Sequence, residues 1–271
     1  MLVRQTNVAK FSLAFSCDEL NFTSHYFSIF MTGIDAESDV KSKIVWSANR
    51  NHPVGDNAIL NFTAAGELVL TDGDGSIVWT TNTAGKSVAG MNLTETGNLV
   101  LFDHQRSIVW QSFDHPTDCL LPGQKLFQGQ ELKSSVSLYN MSEGMFSLQV
   151  TDLGLDAYVK SNPPQAYFST NLLSYYAKKG RRHIRFMNGS LSIFIHSFEP
   201  SVPDGGIDIP EASSAQYMTV MPDGHLQVFE WHLKEWNVIK DLMIEQCSYP
   251  LACGRNAICS TSQQCIDPRR P

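Results

Sequence analysis

Apolar and polar residues alternate along this chain in short runs, and three of the runs close on the same tripeptide: Ile44-Val45-Trp46, Ile77-Val78-Trp79 and Ile108-Val109-Trp110. The tryptophans stand 33 and then 31 residues apart, a near-constant spacing that marks a repeated supersecondary unit. The last two copies agree further back. Gly66-Glu67-Leu68-Val69-Leu70 and Gly97-Asn98-Leu99-Val100-Leu101 each begin thirteen residues before their tryptophan. Each unit reads as strand, turn, strand, with Asp72-Gly73-Asp74-Gly75 and Asp103-His104-Gln105-Arg106 as the turns. Period-two alternation places Ile77 and Trp79 on one face with Leu68 and Leu70, and Val78 on the other. Isolated hairpins are marginal in water, so Trp46, Trp79 and Trp110 are predicted to share a core. The first copy keeps its closing strand, but its opening half around Tyr26-Phe27-Ser28-Ile29-Phe30 has diverged.

The triple unit fills about residues 1 to 116 and ends at Gln111-Ser112-Phe113-Asp114-His115-Pro116-Thr117-Asp118, a Pro-bearing boundary. Alternation resumes at Met145-Phe146-Ser147-Leu148-Gln149-Val150 and Leu191-Ser192-Ile193-Phe194-Ile195, and a second β region extends to about residue 242. Within it, Asp223-Gly224-His225-Leu226-Gln227-Val228-Phe229-Glu230-Trp231 repeats the order of the first region, which makes the second a diverged copy. The Pro- and Gly-bearing segment Pro200 to Ala215 reads as loop, and no long amphipathic helix is evident. The fold class is therefore all-β.

Length and charge narrow the function classes. A chain of 271 residues fits about two domains. A net charge of −7 argues against a general nucleic-acid binder, which needs Lys and Arg to displace counterions. No apolar run is long enough to span a bilayer as a helix. The opening Met1-Leu2-Val3-Arg4-Gln5-Thr6-Asn7 does not resemble a secretory signal. Two features nonetheless point outside the cell. Four of the six cysteines, Cys247, Cys253, Cys259 and Cys265, recur every sixth residue in a tail too small for its own core. That spacing fits disulfides better than zinc, and four cysteines permit three pairings. Asn-x-Ser/Thr sequons occur at Asn21, Asn61, Asn92, Asn140 and Asn188. The missing signal is therefore read as a truncated or misannotated start.

Candidate chemistry is sparse. Asp72-Gly73-Asp74-Gly75-Ser76 has Ile77 and Thr83 where a calcium loop needs Gly and Glu, so it reads as a turn. Lys178-Lys179-Gly180-Arg181-Arg182 reads as a solvated basic loop. The eight histidines lack metal-binding spacing, and no nucleophile elbow, dinucleotide fingerprint or phosphate loop occurs. No metal, cofactor or catalytic residue is expected.

Ile44 through Val54 (Ile-Val-Trp-Ser-Ala-Asn-Arg-Asn-His-Pro-Val), Gly97-Asn98-Leu99-Val100-Leu101 and the string from Ile108 to Asp118 resemble the extracellular part of plant G-type lectin S-receptor-like serine/threonine-protein kinases. The resemblance covers essentially the whole chain. It implies a bulb-type, mannose-binding lectin domain of β-prism architecture over 1–116, a second, β-prism-like domain over 117–242 and a partial EGF-like module over 243–271. By analogy with EGF modules, Cys247 would pair with Cys259 and Cys253 with Cys265. Cys17 and Cys119, flanking the lectin domain, are a further candidate pair. The family's sugar pocket reads Gln-x-Asp-x-Asn-x-Val-x-Tyr. On the third unit that pattern falls on Thr94, Thr96, Asn98, Val100 and Phe102, keeping only Asn and Val. The second unit offers Thr63, Ala65, Glu67, Val69 and Thr71, and the first nothing comparable. Each lost hydrogen bond removes about 0.5–1.5 kcal/mol. The resemblance implies a non-catalytic extracellular module whose partner is a mannose-type glycan, a glycoprotein or a protein, with a homodimer as a candidate assembly. Protein recognition with degenerate sugar sites is the alternative. The family's membrane span and kinase lie outside these residues.

Overall fold

The structure is a computed structural model that describes residues 2–17, 23–36, 42–172, 180–243, 245, 247–254, 257–260, 262 and 264–266. Three sheets form the first body. They are β1 (Leu2–Gln5), β2 (Ala9–Cys17), β3 (His25–Gly33) and β4 (Lys43–Ser47); β5 (Ile59–Phe62), β6 (Leu68–Thr71) and β7 (Ile77–Thr80); and β8 (Val88–Leu93), β9 (Leu99–Asp103) and β10 (Ile108–Gln111). Every pairing is antiparallel. The second and third repeats therefore each have one strand more than strand-turn-strand, and the first has two. Asn61 and Asn92 lie in the added outer strands β5 and β8, where scattered polar residues weaken the period-two signal.

The three sheets meet at the tryptophans. Ring centroids of Trp46, Trp79 and Trp110 lie 5.9, 6.0 and 5.8 Å apart, each pair crossing edge to face at 71–73°. This is the arrangement that aromatic quadrupoles favour, worth about 0.5–1.5 kcal/mol per pair beyond buried area. Leu68, Leu70, Leu99, Leu101 and Ile29 complete the core.

The side-chain alternation expected before each tryptophan fails at one residue, and it fails in all three units. Trp79 faces Leu70 but Ile77 faces Thr71; Trp110 faces Leu101 but Ile108 faces Phe102; Trp46 faces Ile29 but Ile44 faces Phe30. The intervening valine is a β-bulge. One inserted residue reverses the facing of everything beyond it. Ile77 and Ile108 are thus 68% and 55% exposed, whereas Val45 and Val78 pack on the core.

The glycine opening each repeated Gly-x-Leu-Val-Leu run turns the chain with positive φ, 80° at Gly66 and 79° at Gly97, a conformation that costs a side-chain-bearing residue energy. Past each tryptophan a polar side chain caps the middle strand. Phe27, Leu68 and Leu99 donate their backbone N–H to Asn49 Oδ1, Thr81 Oγ1 and Ser112 Oγ at 2.8, 3.1 and 3.0 Å.

Three four-stranded sheets build the second body. The first sheet joins β11 (Cys119–Leu120) to three later strands, β20 (Gln216–Val220), β21 (Leu226–His232) and β22 (Glu235–Asp241). The second comprises β12 (Lys125–Phe127), β17 (His183–Met187), β18 (Ser190–Phe194) and β19 (Gly205–Asp208). The third comprises β13 (Glu131–Ser135), β14 (Glu143–Val150), β15 (Leu155–Val159) and β16 (Gln165–Ser169). All three contribute to one core around Phe146, Leu148, Phe186, Leu191, Met218 and Val228. Within the segment read as loop, Gly205–Asp208 pairs as an edge strand with Ser190–Ile193. An edge strand needs a partner on one side only and tolerates glycines that a central strand would not.

The bodies meet along β11 and β21. Leu120 packs in the second core, while Cys119 and Leu121 pack in the first. Trp231 also leaves its own body. Its indole covers Gly33 at a place where any side chain on residue 33 would collide with it, and its Nε1 donates to Asp35 Oδ1 at 2.5 Å. In the tail, β23 (Ile258–Cys259) pairs with β24 (Cys265–Ile266). No helix among the described residues is long and apolar enough to cross a membrane.

Candidate functional site

The third-unit positions read as a sugar pocket are brought together, but their polar groups face one another. Asn98 is buried. Its Nδ2 donates to Gln111 Oε1 at 2.8 Å, and its Oδ1 accepts from Ser112 Oγ at 3.1 Å and from the Phe113 backbone N–H at 3.2 Å. Thr94 and Thr96 share a hydroxyl hydrogen bond of 3.0 Å, and Thr94 Oγ1 also accepts from the Asn98 N–H. Val100 is buried. The Arg106 guanidinium covers the Phe102 ring at 4.6 Å. In the second unit Glu67 is likewise engaged, accepting from Thr80 Oγ1.

Cys247 is bonded to Cys259 and Cys253 to Cys265. Cys17 and Cys119 do not pair. Cys17 is an exposed thiol at the end of β2, while Cys119 is buried between the bodies with its Sγ 3.5 Å from Thr219 Oγ1. Burial, with the Asp118 charge beside it, pushes the Cys119 thiol up to about 12. Of the sequon asparagines, Asn61, Asn92 and Asn188 are exposed and Asn140 is half-buried. Asn188 already spends its amide on Ala212, donating to its carbonyl at 2.8 Å and accepting from its N–H at 2.7 Å. Asn21, Lys178 and Lys179 lie outside the described residues.

Between the bodies opens a cleft of about 380 Å³. Lys43, Ile44 and Ser47 come from β4, Arg50 from the turn beyond it, and Thr117 and Asp118 from the lead into β11. Ser135 to Met141 supply the β13–β14 hairpin side, and Thr219 to Pro222 the end of β20. Arg50 is buried and fully engaged. Its Nε donates to the Met141 carbonyl at 2.8 Å, its Nη1 to that of Lys133 at 3.0 Å and its Nη2 to that of Ser134 at 3.1 Å.

Asp118 differs. Apart from its own backbone amide, its carboxylate is approached only loosely by the described side chains: by Thr117 Oγ1 at 3.2 Å, Cys119 Sγ at 3.4 Å, Ser135 Oγ at 3.4 Å and Lys43 Nζ at 3.7 Å. Charge-assisted hydrogen bonds run nearer 2.7–2.9 Å, so donors of better geometry can still be accommodated. Burial opposes the Asp118 charge, but Lys43 and Arg50 outweigh it and hold the carboxyl below the usual carboxylate range. Burial likewise opposes the Lys43 charge, and neighbouring Cys119, Asp118 and Tyr217 outweigh it, raising the ammonium above the ordinary lysine value. Leu138 and Tyr139, 74% and 53% exposed, form the rim.

A shallower bowl of about 470 Å³ lies beyond Arg50, walled by Trp46, Trp79, Trp110 and His115. Its polar wall is engaged internally. Asn49 donates to the carbonyls of His25 and His52, and the His115 carbonyl accepts from Trp46 Nε1 at 2.8 Å.

Residues 43–141 match the D-mannose binding lectin family, and residues 190–267 match the S-locus glycoprotein domain. The chain carries both domains. EP1-like glycoprotein 1 of Arabidopsis thaliana is 52% identical over 126 residues, which span 45% of this chain and 28% of that protein. The epidermis-specific secreted glycoprotein EP1 of Daucus carota is 34% identical over 257 residues, 81% of this chain and 66% of that protein. A G-type lectin S-receptor-like serine/threonine-protein kinase of Arabidopsis thaliana, SD2-5, is 35% identical over 128 residues, 47% of this chain and 15% of the kinase. The matches thus span between about a seventh and two thirds of these relatives. Among solved structures, a native fetuin-binding two-domain lectin from Scilla campanulata aligns over 82% of this chain and 97% of its own at 15% identity, with a TM-score of 0.33. The family matches and the curated plant relatives describe a lectin-like extracellular module.

The groups that line the cleft were not legible as a site. Lys43, Arg50 and Asp118 are charged residues in polar sequence, and a charge buried between two bodies looks in sequence like one on the surface. Asp118 ends the string of family resemblance, but nothing in its spacing pairs it with Lys43, 75 positions earlier.

Proposed function

We propose that this chain is a non-catalytic, extracellular carbohydrate-recognition module. It is built of a bulb-type lectin domain over 1–116, a second lectin-like domain over 117–242 and a partial EGF-like module over 243–271. The observation that carries the reading is the tryptophan-closed, three-sheet body, whose three tryptophans and strands from Lys43 onward lie in a stretch that matches the D-mannose binding lectin family. The ligand is a mannose-type glycan, free or on a glycoprotein. Placement outside the cell, secreted or as the ligand-sensing part of a receptor-like kinase, is supported by the secreted carrot relative and the receptor-kinase relative.

A printed glycan array probed with the purified chain tests this. Saturable binding to a defined glycan set is expected, and a flat array would overturn the reading. One observation favours a second reading, protein recognition: Asn98, the best-kept sugar-site residue, spends its amide inside the fold. A flat array together with a crosslinked homodimer or receptor partner would favour that alternative.

A further inference from the structure

Three places were candidates for a ligand: the third-unit strand face, the tryptophan bowl and the cleft between the bodies. The first two have their polar groups satisfied from within. At the strand face Asn98 is held by Gln111, Ser112 and Phe113. In the bowl Asn49 is held by Phe27, His25 and His52. A buried polar group already in good hydrogen bonds gains little by exchanging them for a ligand's.

The cleft is different in three ways. Its carboxylate has no side-chain partner among the described residues closer than 3.2 Å, although it is ionised and mostly shielded from water. Its cation, Lys43, stands 3.7 Å from that carboxylate, so an oxygen able both to donate and to accept could bridge the pair. Its rim carries an exposed tyrosine with no ring partner among the described aromatic contacts. Its size is within the range of small-molecule sites.

From this geometry we infer that the inter-body cleft is a binding site for a neutral saccharide. Asp118 accepts from adjacent sugar hydroxyls, Lys43 donates to one of the same oxygens, and Tyr139 packs on the apolar C–H face of the ring. A hydroxyl both donates and accepts, so a vicinal diol suits a carboxylate beside an ammonium. A uronic acid would set its carboxylate against Asp118, and the cleft therefore selects the uncharged sugar. The inference rests on the carbohydrate-recognition reading and names the place where that recognition occurs.

The test is titration calorimetry of the intact chain and two variants with the methyl glycosides of mannose, glucose and galactose and with methyl glucuronide, alongside the glycan array. The wild-type chain is expected to bind a neutral glycoside. D118N, which keeps the shape but removes the charge, should weaken that binding about tenfold or more. Y139A lies on the exposed rim, so it should leave the melting temperature unchanged while also weakening binding; it carries the test if D118N fails to fold. Neutral-sugar binding undiminished in folded Y139A, and in D118N if folded, would overturn the cleft assignment and leave the lectin reading standing. Preference for the glucuronide would overturn the inference too. A flat array with no heat from any sugar would overturn both.

Discussion

The Arg50 guanidinium donates to the Met141 carbonyl at 2.8 Å, joining the turn after the first Ile-Val-Trp repeat to a hairpin of the second body 91 positions later. The same side chain reaches the Lys133 and Ser134 carbonyls. Buried carbonyls that lose a charged donor carry the full cost of desolvation. R50A is expected to lower unfolding free energy by about 3 kcal/mol. R50K should recover little of it, since an ammonium cannot present a planar fork to three acceptors. Urea unfolding followed by tryptophan fluorescence measures both, and wild-type stability in R50A would show the contact to be incidental.

The bulge before each tryptophan makes two neighbouring residues energetically opposite. W79A empties one third of the aromatic centre and should cost about 3–5 kcal/mol. I77A, two residues earlier on a 68% exposed position, should stay within about 0.5 kcal/mol of wild type. Comparable losses from the two substitutions would mean that Ile77 points inward, as simple alternation predicts.

That contrast also shows how far the sequence could be read. The tryptophan spacing and the Gly-x-Leu-Val-Leu runs carry the three-sheet body because a bulky aromatic recurring every thirty-odd residues needs a common place to be buried. The bulge is invisible, since Val45, Val78 and Val109 look like ordinary strand residues until the register is known. Asn98 can be named from the sequence as a candidate, but its saturation cannot, because that depends on Gln111 and Ser112 folding back over it. Trp231 was legible as a repeat of the tryptophan pattern, whereas its packing over Gly33 depends on how the two bodies dock.

Stability should fall between pH 7 and pH 5. Burial holds the imidazoles of His115 and His183 below the ordinary histidine value, His115 stacked on Trp110 and His183 on Phe194. The unfolded chain then takes up more protons as the pH drops through about 6.5, so the stability present above that value is progressively lost. Carboxylates held low, Asp118 and Asp204 among them, act in the same direction but only at more acid pH. Urea midpoints across the interval should decline for wild type and decline less for His115→Phe, which keeps a ring against Trp110. A midpoint that is flat, or that rises toward pH 5, would contradict the assignment.

The two thiols outside the tail should behave differently. A maleimide reagent is expected to label Cys17 in the native chain and to reach Cys119 only after denaturation, because burial and its raised pKa leave Cys119 inaccessible and protonated. Finding no label at either residue before reduction, and label at both after it, would show that they are joined.

Recognition by this module turns on where a sugar sits. A crystal structure of the intact chain with its tightest array ligand decides this most directly. Saccharide density is expected between the bodies, with hydroxyls on Asp118 and Lys43 and the ring face on Tyr139. Density lying instead along β9 over Asn98 and Val100, with the cleft filled only by water, would contradict it.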